Sequence, residues 1–196
     1  LINDSGIDLL GYIADQAAVS LAVATNTVFT VGDDTADPNG IVRASTLGVT
    51  GASGIGGAFS ADNLLELLYS VGPQYRRLPS AGWMMADSSI LATRKLKLGD
   101  GQYIFVPGLT SSEPDTLLGY PLYSNPDVAA VTNSAKSVIF GALDKYMIRQ
   151  AGAIRFERSD DFAFTSDLST FKIAIRVDGD LLDTTGCVKH FLGNSG

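Results

Sequence analysis

Apolar and small residues recur along the first stretch of the chain at spacings of three and four: Ile7, Leu10, Ala14, Ala17, Leu21, Ala24 and Val28. That period predicts one long amphipathic helix over residues 5–28, with a narrow apolar seam. At 1.5 Å per residue the rod is about 35 Å long, the width of a small domain. The rest of the chain has to be built along such a helix rather than around it. Asn3, Asp4 and Ser5 supply capping oxygens, and Ser5 with Asp8 three residues on fits a capping box. The alanines of the seam bury little area and suit close approach of a neighbour, from the same chain or another. Thr25, Thr27, Val28, Thr30 and Val31 weaken helix propensity through branching at Cβ, and Gly32-Asp33-Asp34 ends the element.

The pattern then breaks into shorter units. Residues 46–57 turn to Gly, Ser, Thr and Ala, the composition of a loop or weak strand and of a boundary. Ser60 or Asp62 caps a second helix carrying Leu64, Leu65, Leu67, Leu68 and Val71, stopped by Gly72-Pro73. Trp83 to Ala86 reads as a buried strand, and Asp87 as the cap of a short third helix with Ile90, Leu91 and Leu96. Leu98 to Gly101 predicts a turn before the aromatic run Tyr103 to Val106, followed by a loop from Pro107 to Pro114. Short strand-like runs cover Leu117 to Tyr123, Val138 to Gly141, Tyr146 to Ile148 and Ile154 to Arg158. Phe171, Ile173, Ile175 and Val177 alternate with polar or small residues, the mark of a half-exposed strand, and Asp178-Gly179 predicts its turn. Cys187 to Leu192 supplies a last strand. Strands and helices mix without a βαβ rhythm, which predicts an α+β architecture.

Composition narrows the possibilities. A 45% hydrophobic content with positive mean hydropathy describes a globular chain. No apolar run is long enough to span a bilayer, and no signal sequence opens the chain, so it reads as soluble with no membrane partner. A formal charge of −7 opposes tight nucleic-acid binding, which needs clustered Lys and Arg to displace counterions. The single Cys187 excludes a disulfide framework and a Cys-rich zinc site, and fits a reducing compartment. The sequence opens at Leu1, almost directly on the helix, which predicts a processed or truncated piece of a longer product.

Candidate chemistry can be tested residue by residue. Gly51 to Gly57 precedes a helix but lacks the Gly-Lys-Ser/Thr ending of a phosphate loop and the dinucleotide spacing, so it reads as a linker. Ser53 is not in a nucleophile elbow, because Ile55 stands where glycine is needed. His190, the one candidate imidazole base, has no nucleophile nearby in sequence and reads as a partly exposed strand residue. Asp33-Asp34 and Asp160-Asp161 lack the periodic spacing of a calcium loop and read as solvated turns. Arg76-Arg77 and Arg94-Lys95-Lys97 read as solvated faces. No catalytic, cofactor-binding or metal-ligating residue is assigned, and the chain reads as a structural subunit rather than an enzyme.

Taken in order, the landmarks resemble the major capsid protein of tailed bacteriophages and prophages, with its Hong Kong ninety-seven type fold. The resemblance starts with Leu1 to Ser5 opening the helix, then Asp33-Asp34-Thr35 with Pro38-Asn39-Gly40-Ile41. It continues through Trp83 to Asp87, Lys95-Leu96-Lys97, Asp100 to Tyr103 and Leu117 to Leu122. Phe140-Gly141 with Tyr146, Asp161-Phe162, Arg176 and Asp178-Gly179 complete the series.

This resemblance implies two lobes. A peripheral domain, residues 1–50 and 151–183, would hold the spine helix 5–28 and long antiparallel strands. An axial domain, residues 51–150 and 184–196, would hold a central sheet flanked by helices. The loop from Gly99 to Pro114 would point to the fivefold and sixfold axes, and a turn at Arg158 to Asp161 would lie near a threefold contact. The family's N-terminal arm and extended loop would precede the helix and be absent. Copies of the full-length chain would associate into pentamers and hexamers of an icosahedral virion shell around double-stranded DNA, after assembly in the bacterial host cytoplasm. Scaffold, protease, portal and decoration proteins are the other partners the family admits, and the isolated piece would be monomeric or a small oligomer. Some members weld subunits by a Lys–Asn isopeptide bond assisted by a Glu. The Asn position here resembles Asp167 and the Glu position Ala174, so no self-crosslinking through this site is implied. The alternative is an encapsulin-like compartment, which shares the fold and encloses enzymes instead of a genome.

Overall fold

A computed structural model describes residues 8–97, 115–166 and 168–195. Helix α1 spans Leu9–Val31, and its N-terminal cap is Asp8, whose Oδ1 accepts the Gly11 N–H at 2.9 Å. The predicted cap Ser5 lies outside the described residues. At the other end α1 runs three residues past the predicted Val28, because its threonines carry their own compensation. The Thr25, Thr27 and Thr30 hydroxyls donate back to the carbonyls of Leu21, Val23 and Asn26 at 2.9, 3.2 and 2.7 Å. Gly32 stops it: its N–H donates to the Val28 carbonyl at 3.0 Å, and a Cβ there would fall 2.1 Å from the Pro38 carbonyl oxygen.

Short helix α2 (Ile41–Ala44) leads into β1 (Thr46–Thr50), so the first half of the Gly/Ser/Thr stretch is a strand. Helix α3 (Ala61–Ser70) has the predicted Ser60 cap, completed by Asn63 as a capping box. After α4 (Pro73–Arg76) and β2 (Ala81–Met85), α5 runs Asp87–Arg94. Asp87 is its first residue rather than its cap, and bonds Ser124 instead. The Leu117 to Tyr123 run is two strands, β3 (Thr116–Leu117) and β4 (Tyr120–Ser124). Between them Leu118 and Gly119 both have positive φ, at 52° and 83°, the geometry of a two-residue hairpin turn.

Strands β5 (Lys136–Ala142) and β6 (Tyr146–Gln150) follow, then β7 (Arg155–Ala163), β8 (Leu168–Ala174), β9 (Val177–Leu181) and β10 (Val188–Leu192). Two expectations change here. The predicted turn at Arg158 to Asp161 lies inside β7, and the alternating run from Phe171 is divided between β8 and β9. Gly179 does not turn the chain. It sits in β9, where a Cβ would meet the Tyr146 hydroxyl at 2.6 Å and the Phe29 ring at 3.1 Å, so it serves close packing.

Six strands form a mixed sheet in the order β1-β10-β5-β2-β4-β3, with β1/β10 and β2/β4 parallel and the other pairs antiparallel. Strand β5 is its axis. Period-two alternation sends Val138 and Phe140 into one core with Trp83, Met85, Leu67 and Phe191, under α3. Ile139 goes into the other, with Val42, Val128, Leu181 and Val188. Trp83 is fully buried 4.4 Å from the Phe140 ring, and its indole N–H donates to the Leu117 carbonyl at 2.9 Å. Outside this sheet are two two-stranded ribbons, β6–β9 and β7–β8.

Trp83→Ala should therefore cost about 3–5 kcal/mol, a large cavity plus an orphaned carbonyl. Urea unfolding followed by circular dichroism measures it. A loss under about 1 kcal/mol would mean that this core collapses around the gap and that β2 is not its centre.

Candidate functional site

The largest departures from a self-contained domain are on α1 and the ribbons. Tyr12, Val19 and Val23 on α1 are 60%, 59% and 62% exposed, and Phe162 on β7 and Leu182 just after β9 are 83% and 71% exposed. Met147, Ile148, Ile154 and Phe156 are exposed as well. Single exposed apolar residues are ordinary, but runs of them on one helix and two ribbons mark a surface that meets a partner. The ribbons strengthen the point, because an isolated two-stranded hairpin is marginal in water. Apart from packing such as the Phe156–Phe171 stack, with centroids 5.7 Å apart, β7–β8 has little cover of its own.

The predicted seam on α1 is only partly used. Leu10 and Ala24 are exposed and the other described seam residues are half-buried. The helix is held at its C-terminal end, where it packs on α2 and Phe29 meets the Tyr146 ring edge-on at 6.4 Å. Asn26 Nδ2 donates to Asn125 Oδ1 at 3.0 Å and to Asp127 Oδ2 at 2.5 Å, while Asn125 Nδ2 donates to Thr30 Oγ1 at 2.9 Å. These contacts leave most of α1 standing free of the chain's own core.

The acidic turn after α1 is ordered by its own backbone. Asp33 Oδ1 accepts the Thr35 and Ala36 N–H groups at 3.0 and 3.4 Å, and these bonds hold its carboxyl below the usual range. Asn39 ties the turn to β9, its N–H to the Gly179 carbonyl and its amide to Asp180, while the Tyr146 hydroxyl donates to the Asn39 carbonyl at 3.0 Å. Among the described residues no three His, Cys, Asp or Glu side chains are grouped to hold a metal ion, and no helix is long and apolar enough to cross a membrane.

His190 differs from its sequence reading. It is 4% exposed, because β10 lies between β1 and β5 rather than at an edge. Ser45 Oγ donates to the Val42 carbonyl at 2.7 Å, so its lone pair accepts from His190 Nδ1 at 2.8 Å. Burial first, and the Lys136 ammonium second, push the imidazole down from 6.5 to about 4, against a hydrogen bond that the ring donates to the Ser45 backbone. Lys136 Nζ donates to the Val42 carbonyl at 3.0 Å, so the pair ties α2 to the sheet. Nothing in the local sequence marks the pair, since 145 residues separate its members. Cys187 is likewise buried, its thiol donating to the Asp183 carbonyl at 2.8 Å and pushed up by burial.

The remaining candidates are structural or solvated. Gly51 to Gly57 is a loop joined to β10 through the Gly51 N–H and the Leu192 carbonyl at 2.8 Å. Arg76 lies 4.6 Å over the Tyr69 ring, and Arg94 pairs with Asp115. The predicted loop from Gly99 to Pro114 and Asp167 lie outside the described residues. The clefts among the described residues include an apolar one of ≈ 150 Å³ between α3, α5 and β3, and one of ≈ 470 Å³ at the base of β7–β8. The larger is lined by residues 151–153, Arg155 and 174–176. Sequence reasoning missed it as a unit, because its walls come from both sides of a hairpin.

His190 sets a pH dependence. The unfolded chain takes up a proton near 6.5, while the folded protein holds the ring neutral down to about 4. The unfolded state thus binds more protons in this window, so stability is full above it and falls as pH drops through it. The urea midpoint should fall between about pH 7 and about pH 4.5 by the equivalent of about 2 kcal/mol, after discounting for solvent screening. His190→Gln should flatten that slope, and an unchanged slope would assign it to other groups.

No curated protein sequence matches the chain. Among solved structures it superposes on the capsid of the native GTA particle with a TM-score of 0.85 and 27% identity, covering 99% of this chain and 68% of that one. A structure from Gordonia phage Cozz matches with a TM-score of 0.70 and 14% identity, covering 97% of this chain and 64% of that one. The holo-SrpI encapsulin complex from Synechococcus elongatus PCC 7942 matches with a TM-score of 0.70 and 13% identity, over 97% and 68% of the two chains. At those last two identities the likeness is one of fold, the Hong Kong ninety-seven type. A long first helix, a mixed sheet and a match over residues 1–190 together make this chain a member of the Phage capsid family.

Proposed function

We propose that the chain is a structural shell subunit, associating with copies of itself into the pentamers and hexamers of an icosahedral capsid that encloses double-stranded DNA. The observation that carries this reading is the exposed apolar surface of α1 and the ribbons, which a lone chain leaves in water and a neighbouring copy covers. Family membership supports it, as does the likeness to the GTA capsid. The net charge of −7 suits a wall that surrounds nucleic acid without gripping it. The role is structural rather than enzymatic. Its place is the virion, reached after assembly in the bacterial host cytoplasm, with scaffold, protease, portal and decoration proteins as further partners.

In this reading residues 1–50 and 151–183 form the peripheral lobe, and residues 51–150 and 184–196 the axial lobe. The β7–β8 ribbon lies wholly in the first lobe and five of the six sheet strands lie in the second, which supports such a division. Strands β1 and β6 lie at its boundaries, and each pairs across one, with β10 and β9 respectively.

Electron microscopy of the full-length protein is expected to show closed shells, and a denaturing gel of them subunits of single-chain size. Discrete monomers under all conditions, together with turnover of a substrate, would contradict the reading. Shells filled with a copurifying enzyme would favour the compartment instead.

A further inference from the structure

The ≈ 470 Å³ cleft at the base of β7–β8 has an unusual charge for this chain. Its floor is ordered: Ala151 N–H donates to the Arg176 carbonyl at 2.9 Å, and Gln150 Nε2 to the Gly152 carbonyl at 3.1 Å. Small side chains leave the cleft open, and Arg155 and Arg176 flank it with exposed guanidinium groups. Neither guanidinium has a hydrogen bond or ion pair among the described residues. Two unpaired arginines in one concavity, on a chain of net charge −7, are fitted to a carboxylate-bearing partner.

The same chain presents such a partner. Asp34 and Asp37 are exposed on the turn that Asp33 orders, and neither carboxylate is paired among the described residues. Several other carboxylates are engaged: Asp115 with Arg94, Asp127 with Asn26, Asp180 with Asn39 and Asp183 with Tyr75. Within one chain the arginine that acts on this turn is Arg43, not either cleft arginine. We propose that the Arg155–Arg176 cleft receives the Asp34–Asp37 turn of a second copy. The contact is head-to-tail, so it can repeat around a ring of subunits. Nucleic acid is the poorer occupant, because two arginines do not offset the repulsion of an acidic chain.

The contact rests on the shell reading, and a charge swap in the full-length protein separates the two. Arg155→Glu with Arg176→Glu should cut particle yield by more than about tenfold, since like charges then meet. Asp34→Lys with Asp37→Lys should do the same. All four substitutions together should restore assembly to within about threefold of wild type, because the pairing is re-made with signs reversed. Circular dichroism identical to wild type shows that each variant folds, as expected for exposed positions. Wild-type particles with both double variants assembling normally would overturn the contact and leave the shell reading standing. So would four-fold variants that fold yet stay unassembled, or arginine variants whose particles form but lose their DNA. Wild-type protein that forms no particles would overturn the shell reading and the contact with it.

Discussion

Strand β5 takes apolar side chains out of water on both of its faces, and the placement of everything else depends on that. Val138 and Phe140 close one core with α3 and Trp83, while Ile139 closes a second with α2 and the β9–β10 region. The second core is what the outlying parts hold on to. Leu181 at the end of β9 and Val42 of α2 are both in it, so the β6–β9 ribbon and the helical entry are fastened to the sheet there. Tyr146 extends that fastening, edge-on to Phe29 and hydrogen-bonded to Asn39.

From these anchors α1 and the ribbons extend without a core of their own. Burial of an apolar side chain is worth about 1.5–3 kcal/mol, so leaving Tyr12, Val19, Val23 and Phe162 in water forgoes several such contributions. In an isolated enzyme that would be a liability. In a shell subunit it is the stored driving force of association, released when neighbours cover the same residues. The acidic surface complements it, because unassembled copies repel at long range and join only through fitted contacts.

Much of this was legible in the sequence, and the failures have physical causes. The three-and-four period announced α1, the Ser60 cap announced α3, and the missing βαβ rhythm announced a mixed α+β fold. Gly32 was read correctly as the stop of α1, but the span was drawn only to Val28 because propensity counts branching at Cβ and not the hydroxyl-to-carbonyl bonds that Thr25, Thr27 and Thr30 make once helical. Gly179 was misread as a turn because glycine in sequence does not say whether it supplies backbone freedom or room for Tyr146 and Phe29. His190 and Ser45, and likewise Arg155 and Arg176, come together only through sheet and hairpin pairing that local pattern does not encode. The seam of α1 was visible, but its partner was not, since a periodic apolar face looks the same whether its own chain or another covers it.

The shell reading stands on neighbouring copies covering α1 and the two ribbons. Amide hydrogen exchange resolved to these elements, in unassembled protein and in shells, tests it most directly. The predicted result is fast exchange along β6, β7, β8 and the N-terminal half of α1 in the free subunit, slowed by about tenfold or more on assembly, with β5 and β2 slow in both states. Equal exchange in those elements before and after assembly would contradict it, and would mean that the shell is built through other surfaces.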